Sequence, residues 1–284
     1  MFPEQFAYHR PTSVGEALHL LESYPDAKII AGGHSLLPAM KLRLAAPEAL
    51  IDIGRIPELK GIHVNGGVSI GATTTWYEIL TSDELKSVLP VLSETANVVG
   101  DLQVRSRGTL GGSMAHSDPA ADFTAVMLAL GASVTAASAG GSRSISTDDL
   151  FVDLLTTSLD ANEILTSIEI PASALGAKAA YEKHAHPASG YAVVGVAAVL
   201  TVDAGGTIST AGVAVTGATS KATRLTSVES ALVGQPATAD VIAAAAANAS
   251  DGLEVNGDVY ASAEYRAHLV NVLTKRALTK AAGI

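Results

Sequence analysis

The chain has 284 residues, of which 48% are hydrophobic and 16% are charged; this composition indicates an ordered globular protein, long enough for two or three sub-domains. The formal net charge of -10 and the absence of any cluster of Lys and Arg argue against a nucleic-acid partner, whose phosphates need a concentrated basic face. Because the chain has no cysteine, disulfides, thiolate nucleophiles and cysteine-ligated zinc or iron-sulfur centres are excluded, so redox chemistry would need an organic cofactor or a partner's metals.

The chain begins with MFPEQFAYHRP, which lacks the basic stretch and apolar core of a signal peptide. Its longest apolar run, at 192–200, is too short to cross a bilayer. We therefore expect no transmembrane segment and a cytoplasmic location.

The first segment predicts a helix followed by a βαβ unit. Ser13 and Glu16 have the spacing of a capping box at the start of GEALHLLESY, whose apolar residues fall on one helical face. The βαβ unit is expected as a buried strand, a tight turn, a helix with Ser35 as its N-cap and a returning strand, at 27–31, 32–35, 36–44 and 50–53.

From about Gly61 the pattern changes to short strands followed by helices that begin near Thr75 and cover 88–99. Later elements are an apolar helix at 122–131, strands at 133–136, 142–145, 168–170, 179–183, 192–202 and 207–215, and two or three alanine-rich helices between 239 and 280. Sub-domain boundaries near 58 and 175 divide the chain into 1–58, 59–175 and 176–284. The predicted fold class is α+β: two N-terminal sub-domains and a C-terminal domain with a small antiparallel sheet and helices.

Two glycine-rich stretches carry the main functional signal. The first, KIIAGGHSLLPAMKLRL, places Gly32 and Gly33 between a strand and a helix, where unpaired N–H groups can bind a diphosphate. Glycine is expected there because a side chain would keep phosphate oxygens away from the backbone. An ordinary βα loop has the same appearance, and the stretch lacks the G-x-G-x-x-G pattern that would support a nicotinamide cofactor.

The second stretch, RSRGTLGGSMAHSDPAADF, offers the same chemistry much further along the chain. Three glycines lie there among the hydroxylic residues Thr109 and Ser113, and Asp118 and Asp122 follow. Two such loops on different sub-domains would clasp a long, phosphate-bearing ligand from both sides.

Together, AGGHSLLPAMKLRL and RGTLGGSMAHSDPAAD closely resemble the paired FAD-binding motifs of the medium subunit of molybdenum hydroxylases of the carbon monoxide dehydrogenase and xanthine dehydrogenase type. The resemblance extends over essentially the whole chain, including ILTSIEIP and AYEKHAHPASGYA. The sequence differs conservatively at Leu110, where isoleucine is commoner, and at Phe123, where the motif usually has leucine.

The resemblance implies a set of cofactor-binding residues. The first FAD loop corresponds to Ile29, Ile30, Ala31, Gly32, Gly33, His34, Ser35 and Leu36, the second to Thr109, Leu110, Gly111, Gly112 and Ser113, and other flavin-pocket positions to Val99, Leu165 and Lys183. Backbone amides of the first loop and hydroxyls of the second would contact the diphosphate or the ribityl chain. Asp122 corresponds to the acidic position expected to bind ribose or adenosine hydroxyls, and Tyr191 to the aromatic residue that covers one face of the isoalloxazine.

Without the resemblance, several of these residues have simpler interpretations. Asp118 and Asp122 fit a helix cap and a first-turn acid, and we assign Asp118 to structure. Lys183 would by default be a solvated strand lysine and Tyr191 a core aromatic.

The histidines predict neither a catalytic base nor a metal site. His34 is expected to form hydrogen bonds or pack, and His184 and His186 are expected to be a partly exposed pair on a strand, since no third metal ligand lies nearby. We assign no catalytic residue and no metal ligand to this chain.

The resemblance also implies a fold and a function. The fold would be the two-sub-domain FAD-binding fold of the vanillyl-alcohol-oxidase type, followed by a carbon monoxide dehydrogenase flavoprotein-like domain. A large subunit with a molybdenum-pterin cofactor would hydroxylate the substrate, and [2Fe-2S] clusters of a small subunit would pass electrons to FAD in this chain, in a heterotrimer doubled by symmetry. A stand-alone FAD-dependent oxidoreductase and a non-catalytic nucleotide-binding scaffold are the alternatives. The sequence specifies neither the substrate nor the final electron acceptor.

Overall fold

A computed structural model describes residues 2–284 of the chain. In this range each of the three main sheets takes its strands from one continuous stretch of sequence. No helix among these residues is both long and apolar enough to span a membrane.

The first sheet has three parallel strands in the order β1-β3-β2. Its elements are β1 Ala7–His9, α1 Val14–Ser23, β2 Lys28–Ile30, α2 Leu36–Lys41 and β3 Ala49–Asp52. The sequence did not predict β1, because three residues without an apolar run carry no strand signal. Ser13 caps α1 as predicted by accepting from the Glu16 N–H, but the Glu16 carboxylate binds Thr12 and does not complete the capping box.

The second sheet has five antiparallel strands in the order β4-β5-β10-β6-β7. The strands of this stretch are β4 Ile62–Val64, β5 Val68–Gly71, β6 Ser133–Ser138, β7 Gly141–Ser146, the hairpin β8 Phe151–Asp153 with β9 Thr156–Thr157, and β10 Ile164–Ile170. Its helices are α3 Trp76–Thr81, α4 Asp83–Val88, α5 Pro90–Asn97, α6 Leu102–Arg105, α7 Leu110–His116, α8 Asp122–Ala129 and α9 Thr147–Leu150.

Two helices in this stretch differ from the prediction. The helix expected over 88–99 begins only at Pro90, because proline lacks an N–H and fits the first turn better than a helix interior. The glycine-rich stretch itself forms α7, which Thr109 caps by accepting from the Gly112 N–H. By contrast, α3 begins as predicted, with a complete capping box between Thr75 and Glu78.

The third sheet is antiparallel, in the order β11-β12-β13-β14. Its strands are β11 Lys178–Ala185, β12 Ala192–Val202, β13 Ile208–Thr216 and β14 Thr223–Arg224, and its helices are α10 Thr226–Leu232, α11 Ala239–Ala246 and α12 Ala263–Ala282. The alanine-rich helices predicted at the C-terminal end are confirmed, and residues of α12 join the hydrophobic core of this sheet. The predicted α+β fold, with an antiparallel C-terminal sheet and helices, is confirmed.

The second and third sheets share a hydrophobic core. Tyr181, Ala197 and Ala214 of the third sheet join the core of the second. At Gly212 the chains approach so closely that a Cβ atom would overlap the carbonyl oxygen of Ala129 in α8. The limits at 58 and 175 stay a prediction, since sheet membership does not fix where a domain ends.

Arg224 connects these two parts electrostatically. Its guanidinium forms two hydrogen bonds to Asp148, at 2.8 and 2.9 Å, and one to Glu229 at 2.9 Å. It also donates to the carbonyl oxygen of Leu128 at the end of α8, at 2.7 Å. The hydrogen bonds to Asp148, followed by the hydrogen bond and ion pair with Glu229, raise the pKa of Arg224.

We expect Arg224→Met to lower the free energy of unfolding by about 2–3 kcal/mol, because the largely buried Glu229 carboxylate loses its cation and the Leu128 carbonyl oxygen loses a hydrogen-bond donor. Arg43→Met is the matched control, since Arg43 pairs with Glu4 where both side chains are more than half exposed. Arg43→Met should lower the free energy of unfolding by less than about 1 kcal/mol. Urea unfolding of both variants measures the difference, and equal losses would contradict a bridging role for Arg224.

Candidate functional site

A cavity of about 640 Å³ lies where the three stretches of chain meet. Its volume is typical of a site that buries a small organic ligand. Its walls come from the turn after β2, the start of α7, the loop before β10 and the turn before β12. Among residues 2–284 there is no group of three His, Asp or Glu side chains arranged to hold a metal ion.

The turn after β2 presents unpaired backbone donors to this cavity. In the part of the chain that the structure describes, the N–H groups of residues 33–36 donate to no other protein group. Ser35 was predicted as an N-cap, but its side chain forms no capping hydrogen bond and therefore stays available to a ligand. The Nδ1 atom of His34 lies 3.3 Å from the carbonyl oxygen of Gly32, which agrees with a hydrogen-bonding histidine.

The second glycine loop is chemically different from the first. The backbone N–H groups of residues 110–113 all donate within the protein. The first two donate to carbonyl oxygens in the 72–74 turn, at 3.0 and 2.9 Å, and the last two to the hydroxyl and carbonyl oxygens of Thr109, each at 3.1 Å. The sequence suggested a run of free amides here, but the four N–H groups of residues 110–113 are not available to a ligand, and the loop offers mainly hydroxyl groups.

The glycines also have a different purpose from the one expected. A Cβ atom on Gly32 would overlap the carbonyl oxygen of Arg107, so the two loops touch through their backbones. Gly108 lies equally close to the ring of Trp76, and Gly111 to Ala72. At these positions glycine permits close packing of the chain. Gly112 lines the cavity, and a Cβ atom there would lie 2.7 Å from the Thr109 hydroxyl that caps α7, so a side chain would displace that hydroxyl.

Asp122 lies at the start of α8 and is almost fully buried. Its Oδ1 atom accepts hydrogen bonds from the Tyr181 hydroxyl at 2.7 Å and from the Lys183 ammonium at 2.9 Å. Burial raises the pKa of Asp122, and the Lys183 charge opposes that rise. Burial, with the nearby Asp122 carboxyl, raises the pKa of Tyr181 well above its ordinary value.

Sequence reasoning missed Tyr181. The signal was present, because residues two apart on a strand share a face and Tyr181 precedes Lys183 by two on β11. Asp118 has the structural role that was predicted: its Oδ1 accepts from the Ala120 N–H at 2.9 Å, in the turn before α8.

The predicted site residues come together with two exceptions. Those that line the cavity are Ile29, Ile30, Ala31, Gly32, Gly33, His34, Ser35, Leu36, Val99, Thr109, Gly111, Gly112, Ser113, Asp122, Leu165 and Tyr191. Leu110 does not, because its side chain is fully buried in the core of the second sheet. Lys183 does not either, since its ammonium is bound among protein oxygens; nor is it the solvated lysine expected by default. That these residues bind FAD stays a prediction.

Tyr191 stands at one end of the cavity, with 46% of its surface exposed, so it is not a core aromatic. It ends a tight turn in which the His186 N–H donates to the Tyr191 carbonyl oxygen at 2.8 Å. His186 packs against Tyr260, with ring centroids 4.3 Å apart, and His184 packs against Tyr265.

Several cavity residues were not predicted, because they lie outside both glycine loops. Trp76, the single tryptophan, lines the wall beneath Gly108. Leu21, Pro25 and Leu159 also line the cavity. Within residues 2–284, Lys28 is the only lysine or arginine that lines the cavity.

Comparisons with known proteins agree with this geometry. Residues 4–173 match the family model of the FAD binding domain in molybdopterin dehydrogenase, and residues 179–281 match the C-terminal domain of CO dehydrogenase flavoprotein. The chain is 41% identical to the carbon monoxide dehydrogenase medium chain of Hydrogenophaga pseudoflava, over 99% of this chain and 98% of that one. It is 36% identical to the glyceraldehyde dehydrogenase medium chain of Sulfolobus acidocaldarius, over 99% and 100% of the two chains.

Solved structures give the same result. The carbon monoxide dehydrogenase of Hydrogenophaga pseudoflava that lacks the Mo-pyranopterin moiety contains a chain that superposes with a TM-score of 0.95, at 41% identity over 99% of this chain and 98% of that one. Quinoline 2-oxidoreductase from Pseudomonas putida 86 gives a TM-score of 0.93, at 34% identity over 100% and 99%. The chain therefore belongs to the FAD-binding medium subunits of the molybdenum hydroxylases of the carbon monoxide dehydrogenase type.

Proposed function

We propose that this chain accepts electrons from iron-sulfur clusters of a partner subunit and passes them, through bound FAD, to an external acceptor. The observation that carries the proposal is the run of unpaired N–H groups at 33–36, which faces a cavity large enough for a dinucleotide. Such a run binds a diphosphate without a basic side chain. When bound, FAD supplies a redox centre that takes up electrons one at a time and releases two.

The two ends of the cavity suit the two halves of FAD. We assign the isoalloxazine to the end with Val99 and Tyr191, where an exposed aromatic ring can cover one face of the flavin. The adenosine then lies toward Leu21 and Pro25. Asp122 is at the Tyr191 end, because Lys183 binds both its carboxylate and the carbonyl oxygen of Gly190. We therefore propose that Asp122 binds ribityl hydroxyls of the flavin, and not the adenosine ribose as the sequence suggested.

The proposed partners are a large subunit with the molybdenum-pterin cofactor and a small subunit with [2Fe-2S] clusters, in a dimer of heterotrimers. The absence of cysteine supports this division, because the clusters need thiolate ligands that only another chain can supply. Two relatives are described as medium chains, and another as a subunit of the 6-hydroxypseudooxynicotine dehydrogenase complex of Paenarthrobacter nicotinovorans.

The substrate is proposed to contact a different subunit. Relatives with similar identity to this chain are named for carbon monoxide, glyceraldehyde and nicotine, which share little chemistry. A chain that recognised the substrate would differ more strongly among such enzymes. The stand-alone flavoenzyme is less well supported, since it needs an acid/base pair beside the flavin and the Asp122 carboxylate is already paired with Lys183.

The cofactor should be FAD and not FMN, because the cavity is large enough for a dinucleotide and residues 4–173 match an FAD binding domain. Acid-released cofactor from the purified protein should elute with FAD in chromatography. FMN alone, or no flavin in the intact complex, would contradict the proposal.

Gly112→Val should greatly reduce flavin retention with less effect on folding, because the new side chain lies at the cavity wall and displaces only the Thr109 hydroxyl, 2.7 Å from the Cβ position. Gly15→Val is the matched control: it also lies in the first turn of a helix and has no atom within 4 Å of the Cβ position. The ratio of flavin to protein, measured with circular dichroism as a check on folding, compares the two variants. Equal retention would mean that the diphosphate lies elsewhere. Gly33→Val is a poorer test, since φ there is +76° and any side chain strains the backbone.

The chain alone should be inactive toward organic substrates. We expect no bleaching of the flavin when the FAD-loaded chain is mixed anaerobically with an aldehyde or an N-heteroaromatic, although dithionite should bleach it. Rapid substrate-dependent bleaching without any partner would refute the electron-transfer role and favour the stand-alone flavoenzyme.

A further inference from the structure

The Lys183 side chain joins three segments that are far apart in sequence. It lies on β11 and is only 6% exposed. Its Nζ atom donates to the carbonyl oxygen of Val98 at 2.7 Å, to Oδ1 of Asp122 at 2.9 Å and to the carbonyl oxygen of Gly190 at 2.8 Å.

These contacts use the whole donor capacity of the side chain. A lysine ammonium has three N–H bonds and no acceptor. Each of the three points at one of the oxygens of Val98, Asp122 and Gly190. No hydrogen is left for a ligand, and the side chain is not among those that line the cavity.

The three partners belong to the same end of the cavity. Val98 precedes Val99 and Gly100, and Gly190 precedes Tyr191. Val99, Gly100, Gly190 and Tyr191 all line the cavity. The two turns also touch, because a Cβ atom on Gly190 would lie 3.7 Å from the Cα atom of Gly100. The ammonium therefore holds two neighbouring segments of the cavity wall and the Asp122 carboxylate together.

We propose that Lys183 is a positioning residue for the flavin, which acts by holding the 98–100 and 186–191 turns against each other and thereby placing Tyr191 where its ring can cover the isoalloxazine. The inference rests on the proposed function, since it presumes that FAD occupies the cavity. It also gives Lys183 a role that differs from direct contact with the flavin.

A purely structural ion pair would give a different result. Removing the ammonium leaves Asp122 buried without its cation, so some loss of stability is expected in either case. If Lys183 only stabilises the fold, all ligands of the cavity should weaken together. If it positions the flavin end, the loss should be confined to ligands that have a flavin.

The test compares FAD with ADP, which has the adenosine and diphosphate but no flavin, in the full chain. We expect Lys183→Met to weaken FAD binding by about tenfold, the effect of losing one well-oriented aromatic contact, and ADP binding by less than about twofold. Lys178→Met is the control on the same strand, where the ammonium donates only to the carbonyl oxygen of Ala282. Lys178→Met should change neither FAD binding nor ADP binding. Lys183→Arg keeps the charge but cannot place three donors in the same way, so it should weaken FAD binding less than Lys183→Met does, again with little effect on ADP. It replaces Lys183→Met in the test if the methionine variant does not fold.

A second measurement distinguishes positioning from direct contact. If Lys183 acts through Tyr191, then adding Lys183→Met to Tyr191→Ala should weaken FAD binding by less than about twofold more, whereas independent contacts would give additive losses. Parallel losses of FAD and ADP, or additive losses in the double variant, would overturn the inference. Wild-type chain that binds ADP but not FAD would overturn the proposed function itself.

Discussion

The backbone contact between the two glycine loops is the constraint on which the site depends. The turn after β2 belongs to a parallel sheet and the segment before α7 to an antiparallel one, so no ladder of hydrogen bonds joins them. They meet only because Gly32 has no side chain where the carbonyl oxygen of Arg107 lies. Without that approach the amides of one loop and the hydroxyls of the other would face separate surfaces.

The proposed site would hold an anion with little formal charge. The chain has a net charge of -10, and two of the three acidic residues that line the cavity are paired with cations: Glu163 accepts two hydrogen bonds from Arg143, and Asp122 pairs with Lys183. Neutral N–H dipoles then provide the attraction for a diphosphate. A fixed dipole loses no side-chain entropy on binding, which suits a cofactor that stays bound through many cycles.

The sequence predicted the parts of the fold and site that depend on local pattern. The helix that begins near Thr75, the helix at 122, the long strands of the C-terminal sheet and both glycine loops all have signals within a few residues. What it did not predict depends on contacts between distant segments: the pairing of β1 with β3, the Tyr181 hydroxyl on Asp122, and the burial of Lys183 by Val98 and Gly190. Equally, nothing local distinguishes the free amides of residues 33–36 from the amides of residues 110–113, which all donate within the protein.

The position of Tyr191 has a consequence for how the chain is divided. Two family models meet between residues 173 and 179, as if the C-terminal part were a separate module. Yet the turn that ends at Tyr191 closes the cavity, and β11 contributes Tyr181 and Lys183 to the carboxylate at its floor. The C-terminal domain thus forms one wall of the cavity, and the residues of the other walls precede it in the sequence. Exchanging the C-terminal domain between relatives would therefore change the wall of the cavity, even if every glycine of both loops were kept.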